Sequence, residues 1–101
     1  DASITSPLVW LDTARYRALE IRLANGTGAR DAQLFFLGED GRADEAHSVR
    51  WQLAPGGEAT TYTLDLAQTP GWQGVVTRLR IDPVGVGDGG QVRVEWVRLV
   101  Q

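Results

Sequence analysis

Apolar and polar positions alternate along this chain with a period of two, in short bursts separated by turn residues. Leu19, Ile21 and Leu23 alternate with Glu20 and Arg22, which predicts a half-buried strand with a charged outer face. Val49, Trp51 and Leu53 alternate with Ser48, Arg50 and Gln52, and Tyr62, Leu64 and Leu66 with Thr61, Thr63 and Asp65. Residues 32–37 are apolar on both sides: Ala32, Leu34 and Phe36 share one face and Gln33, Phe35 and Leu37 the other, so alternation leaves open which is inside. SITSPLVWL, residues 3–11, is an apolar run broken by Pro7, which suits an edge strand or a strand start.

Between these bursts, residues 12–16 read as a turn or a single helical turn. Asn25-Gly26-Thr27-Gly28 offers residues that tolerate positive φ, and it also matches a glycosylation sequon. The stretch from Gly71 to Val100 reads as a closing hairpin: Trp72, a strand from Val75 to Ile81, a Gly-rich turn from Gly85 to Gly90, and a last strand from Val92 to Val100. In that last strand the apolar set changes face, from Val92, Val94 and Trp96 to Val97 and Leu99. A β-bulge near Glu95 or Trp96 would turn both sets toward the core. The pattern predicts an all-β fold, an antiparallel two-sheet β-sandwich or jelly roll of about seven to eight strands, in one domain over residues 1–101.

Composition narrows the chemistry. With 43% hydrophobic and 23% charged residues the chain has an ordinary globular balance. Without cysteine there is neither a disulfide framework nor a thiolate metal site, and because all ten basic residues are Arg there is no Schiff-base lysine. A formal charge of −3 and the absence of a like-charge run argue against nucleic acid, and no segment is apolar for long enough to span a bilayer.

Nothing announces a catalytic centre. His47 is the only histidine, with no nucleophile or metal spacing around it, and reads as a solvated loop or strand-end residue. Glu20, Asp65, Asp82 and Glu95 lie on strands close to arginines, and ion pairing on a solvated face accounts for them better than a glycosidase carboxylate pair. The chain is therefore expected to be non-catalytic. The acidic loop with Glu39, Asp40, Asp44 and Glu45, or the pair Asp82 and Asp88, offers oxygens for a structural calcium ion but lacks the EF-hand spacing; a solubilising loop is the plainer reading.

Four Trp in 101 residues is more indole than so small a core holds comfortably, so at least one is expected on the surface. Exposed aromatics beside Arg, Gln and carboxylates suit a sugar, whose axial C–H bonds stack on the ring while its hydroxyls take paired hydrogen bonds. The strand pair 32–37 and 48–53 offers this mixture: Gln33 and Phe35 beside Arg50 and Gln52, with Arg22 and Glu20 on the expected neighbouring strand. With the register shifted, Trp51 becomes the platform instead. Trp51 and Trp72 read first as core-edge residues, whereas Trp10, beside the edge strand, and Trp96, at the suspected bulge, are open between packing and ligand contact. The candidate carbohydrate-binding residues are Trp10, Phe35, Trp51, Trp96, Arg22, Gln33, Arg50 and Gln52.

LRIDP at residues 79–83, followed by a Gly-rich turn and VRVEWVRL at 92–99, resembles the C-terminal part of galactose-binding-like β-sandwich domains, carbohydrate-binding modules of polysaccharide-degrading enzymes among them. ITSP at 4–7, YRALEIRL at 16–23, AQLFF at 32–36, SVRW at 48–51 and YTLDL at 62–66 fit the same pattern. The resemblance implies structural roles for Trp72 and Asp82, and a non-catalytic module of a secreted protein. Such a module tethers a covalently linked glycoside hydrolase to a polysaccharide, with a β-glucan or cellulose-like chain expected, and takes no cofactor, nucleic acid or membrane as partner. Such domains usually have further strands ahead of the segment matching ITSP, so either this is a minimal version, or a strand is missing and an edge lies open to a partner. The alternative is a structural or protein-interaction sandwich domain of a larger extracellular protein, bound through that edge.

Overall fold

The alternating segments form antiparallel ladders in the computed structural model, which describes residues 4–84 and 92–101. Nine strands lie among the described residues: β1 (Ile4–Thr5), β2 (Leu11–Asp12), β3 (Ala18–Asn25), β4 (Asp31–Leu37), β5 (Ser48–Gln52), β6 (Ala59–Asp65), β7 (Val75–Val76), β8 (Arg78–Val84) and β9 (Val92–Val100). The larger sheet has the order β1-β8-β4-β5, the smaller one β6-β3-β9, and β2 pairs with β7 in a short ladder of its own. Single 3-10 turns over Thr13–Arg15 and Glu45–His47 are the helical elements among these residues, each with an aspartate as its N-cap.

One apolar core joins the two main sheets. Leu19, Ile21 and Leu23 of β3, Leu64 of β6, Ala32, Leu34 and Phe36 of β4, and Leu79 and Ile81 of β8 belong to the same buried cluster. β3 and β4 each lie between two strands, so their backbone polar groups are paired on both sides and their apolar sides can be buried without cost in hydrogen bonds. The two faces of β4, which alternation could not rank, are both buried: Ala32, Leu34 and Phe36 meet the core, while Gln33, Phe35 and Leu37 are covered from outside.

The last stretch departs from the expected hairpin. β8 pairs with β4 and β1 in the larger sheet, and β9 pairs with β3 in the smaller, so the chain crosses between sheets there. Each strand has an apolar side, and strands in different sheets can turn those sides to one core as well as neighbouring strands can. The connecting Gly-rich residues 85–90, and with them Asp88, lie outside the described residues. The expected strand from Val75 to Ile81 is also divided. At Thr77 the hydroxyl donates to the carbonyl of Gly38 at 2.8 Å and the amide to that of Leu37 at 2.8 Å, separating β7 from β8.

The expected bulge is present. Arg22 is opposite Trp96 and Leu23 is opposite Val94, so Glu95 is the extra residue. The strand therefore points Val94 inward on one side of the bulge and Leu99, opposite Leu19, inward on the other, while Trp96 goes outward. At Asn25–Gly28 the turn uses no positive φ. The Asn25 carboxamide builds it instead: its oxygen accepts from the Thr27 amide at 3.1 Å and its Nδ2 donates to the Ala29 carbonyl at 2.7 Å.

Two glycines with positive φ make a matched test of packing. Gly71 has φ +90° and a Cβ there would lie 2.1 Å from the Ala46 carbonyl oxygen, whereas Gly74, with φ +73°, has open space around it. Gly74→Ala should cost about 1–2 kcal/mol, from the left-handed backbone alone. Gly71→Ala adds an overpacking cost of about 1–3 kcal/mol against backbone that cannot rotate away. Urea unfolding of the two variants should thus rank Gly71→Ala clearly below Gly74→Ala, and equal midpoints would contradict the close approach of the two loops.

Candidate functional site

The expected binding residues divide among four places, and Arg22 is parted from Gln33 because β3 is not a neighbour of β4. On the outer face of the larger sheet, Gln33 pairs with Arg50, Asp31 with Gln52 and Phe35 with Ser48, as the β4–β5 reading requires. Asp82 and Arg80 of β8 lie on the other flank, opposite Gln33 and Phe35. Arg22 and Glu20, expected beside this pair, are instead on the smaller sheet.

This larger-sheet face is closed. The Gln33 Nε2 donates to the Glu45 carboxylate and, at 2.9 Å, to the Ser48 hydroxyl, so both of its N–H groups are spent. Phe35 is buried beneath the Arg80 guanidinium, 4.8 Å from the ring centroid, and Asp82 holds that guanidinium by two hydrogen bonds of 3.0 and 2.7 Å. Phe35 therefore offers no open ring to a ligand. Arg50 and Gln52 are exposed beside it, with Arg50 3.6 Å from Glu45. The Arg80 lid is legible in retrospect, since its outward position on β8 follows from alternation once β8 is known to flank β4.

Trp51 and Trp72 are structural. Trp51 points inward with Val49 and packs against Tyr62, ring centroids 6.2 Å apart, while its indole N–H is buried without an acceptor among the described residues. It is not a platform. Trp72 meets Phe36 edge to face at 5.2 Å and donates its N–H to the Tyr16 carbonyl at 2.9 Å. Trp10 projects at 68% exposure between β1 and β2, next to an equally exposed Leu8.

Trp96 and Arg22 come together on the outer face of the smaller sheet. The bulge at Glu95 puts the indole outward, 41% exposed, directly opposite Arg22. Arg22 donates from Nε to Glu95 at 2.9 Å and from Nη1 to the Thr61 hydroxyl at 3.1 Å, so one guanidinium spans β6, β3 and β9. Arg98 pairs with Glu20 and lies 5.8 Å from the Trp96 ring centroid, a cation–π distance. Thr63 stands opposite Glu20 and extends the polar row. The result is one exposed aromatic ring in a lattice of partly exposed donors and acceptors.

Elsewhere, a hollow of about 610 Å³ is lined by Phe36, Asp40, Asp44, His47 and Gln73 among others. Its carboxylates serve the local backbone: Asp40 accepts from the Arg42 amide and Asp44 from the Ala46 amide. No three His, Asp or Glu side chains among the described residues gather as a metal-binding group. The sequon amide of Asn25 is buried and hydrogen-bonded within its turn, which leaves it unavailable to a modifying enzyme in the folded chain.

Comparison of the chain with known protein-family models, curated proteins and solved structures gives no significant match. The reading of the site thus rests on its geometry.

The ion pairs on the Trp96 face are exposed enough to be weak. A double-mutant cycle over Arg22→Ala and Glu95→Ala should give a coupling of about 0.2–1 kcal/mol that shrinks as salt rises. A large, salt-insensitive coupling would mean that this lattice is a rigid structural element and not a surface free to exchange partners.

Proposed function

We propose that the chain is a non-catalytic carbohydrate-binding module. In this reading its two main sheets stack face to face as an antiparallel β-sandwich of the galactose-binding-like, jelly-roll kind. It would serve outside the cell, holding a linked glycoside hydrolase to a polysaccharide of the β-glucan or cellulose-like class. The observation that carries the reading is the outer face of the smaller sheet, where Trp96 stands exposed beside Arg22, Glu95, Glu20 and Arg98.

The mechanism follows from those groups. A pyranose ring lays its axial C–H bonds on the indole, while its hydroxyls, each both donor and acceptor, exchange with the guanidinium N–H groups of Arg22 and Arg98, the carboxylates of Glu20 and Glu95, and the hydroxyls of Thr61 and Thr63. Because the existing ion pairs are exposed, opening them costs little. Tethering then raises the local concentration of substrate around the enzyme without any new chemistry. A second reading, a protein-interaction domain bound through an open sheet edge, is supported by the exposure of Leu8 and Val97.

Affinity electrophoresis against soluble β-glucan, xylan, mannan and pectin tests the first reading. The native chain should be retarded by a glucan, and Trp96→Ala should weaken that binding more than about tenfold, as truncating a central aromatic anchor does. Phe35→Ala should act differently, lowering the unfolding midpoint while leaving retardation of the folded fraction intact. Absence of retardation by every polysaccharide, or indifference to Trp96→Ala, would sink the reading.

A further inference from the structure

The two main sheets differ by one strand, and the difference leaves a gap. Trp51 of β5 meets Tyr62 of β6, so these two edge strands overlie one another. If the sheets stack in order from that contact, as the sandwich reading has it, β4 faces β3, β8 faces β9, and β1 faces a position for which the smaller sheet has no strand among the described residues. β9 is an edge there, with one row of backbone groups free of any strand partner in the sheet order. Val97 registers the vacancy: it lies opposite Ile21, which is wholly buried in the core, yet is itself 42% exposed. Ile4, the residue of β1 opposite Ile81, packs against the core only in part.

We propose that this gap receives one extended peptide segment, which pairs with β9 and completes the smaller sheet to four strands. Backbone hydrogen bonds along nine residues of β9 would supply affinity, and alternate side chains would supply specificity. Inward positions of the peptide are apolar, covering Val97 and Ile4. Outward positions are acidic, because this face gathers Arg22, Arg93 and Arg98 around the two carboxylates of Glu95 and Glu20, leaving one positive charge in excess, with the Arg93 and Arg98 side chains 73% and 68% exposed. A second copy of the chain fits poorly. Its β9 face repeats the same excess of arginine over carboxylate. The inference deepens the second reading, binding through an open sheet edge, and is separable from the carbohydrate one: Arg98 serves both, whereas Arg93 and Val97 belong to the edge alone.

The test uses two synthetic peptides as long as β9, nine residues, capped at both ends. One alternates Glu and Val; the other has the same composition with the two residue types in separate blocks. The alternating peptide should bind saturably and slow amide hydrogen exchange along residues 92–100, while the blocked isomer should bind at least about tenfold more weakly. Val97→Arg, shown by circular dichroism to stay folded, should weaken binding of the alternating peptide by about tenfold or more. As a check that does not depend on Val97, Arg93→Glu should weaken the Glu–Val peptide and strengthen an otherwise identical Lys–Val one. Equal binding of the two isomers, binding without protection of β9, or no binding would overturn the proposal. So would a concentration-dependent dimer in sedimentation that protects β9 in the absence of peptide, since the occupant would then be a second copy.

Discussion

The single extra residue at Glu95 sets the character of the smaller sheet. A strand with a strict period of two could not turn both Val94 and Leu99 to the core, because their separation is odd. Inserting one unpaired residue reverses the phase and lets both halves of β9 meet β3 with their apolar sides inward. Trp96 is then forced to the outside, into the position opposite Arg22. The indole is exposed because the core on either side of it had to be satisfied.

The outer faces of the two sheets differ for a related reason. β4 has apolar side chains on both sides, so its outer face needs covering: Arg80, held by Asp82, lies over the Phe35 ring, and Glu45 and Ser48 take both N–H groups of Gln33. β3 alternates Leu19, Ile21 and Leu23 with Glu20 and Arg22. Its outer side needs no lid, and the charged groups there remain in contact with water.

The same contrast explains what alternation alone could and could not reveal. The inward sets of β3, β5 and β6 and the bulge in β9 were all legible, since each depends on spacing within one segment. Which strand lies beside which depends on pairing across the whole chain, and alternation is silent on that. Arg22 was expected beside Gln33 and lies on the other sheet for this reason, and β8 and β9 imitate a hairpin because two amphipathic strands joined by a Gly-rich sequence look alike whether they share a sheet or lie in different ones. Trp51 shares the inward side of Val49, in keeping with its first reading as a core-edge residue, whereas the phase shift at Glu95 decides the open case of Trp96 by releasing it outward.

The strand order has a consequence for when the protein can act. No two strands that are consecutive in the chain are neighbours in the smaller sheet, whose order is β6-β3-β9. Its central strand must wait for partners that follow it by whole segments, and long-range pairing of this kind is slow because the loop entropy is lost before contacts return it. The surface bearing Trp96 is therefore assembled only once β9, which follows both β3 and β6 in the chain, has emerged during synthesis. A nascent chain that has not yet released β9 has no such surface, so any ligand engaged there meets only a sheet whose three strands are already joined.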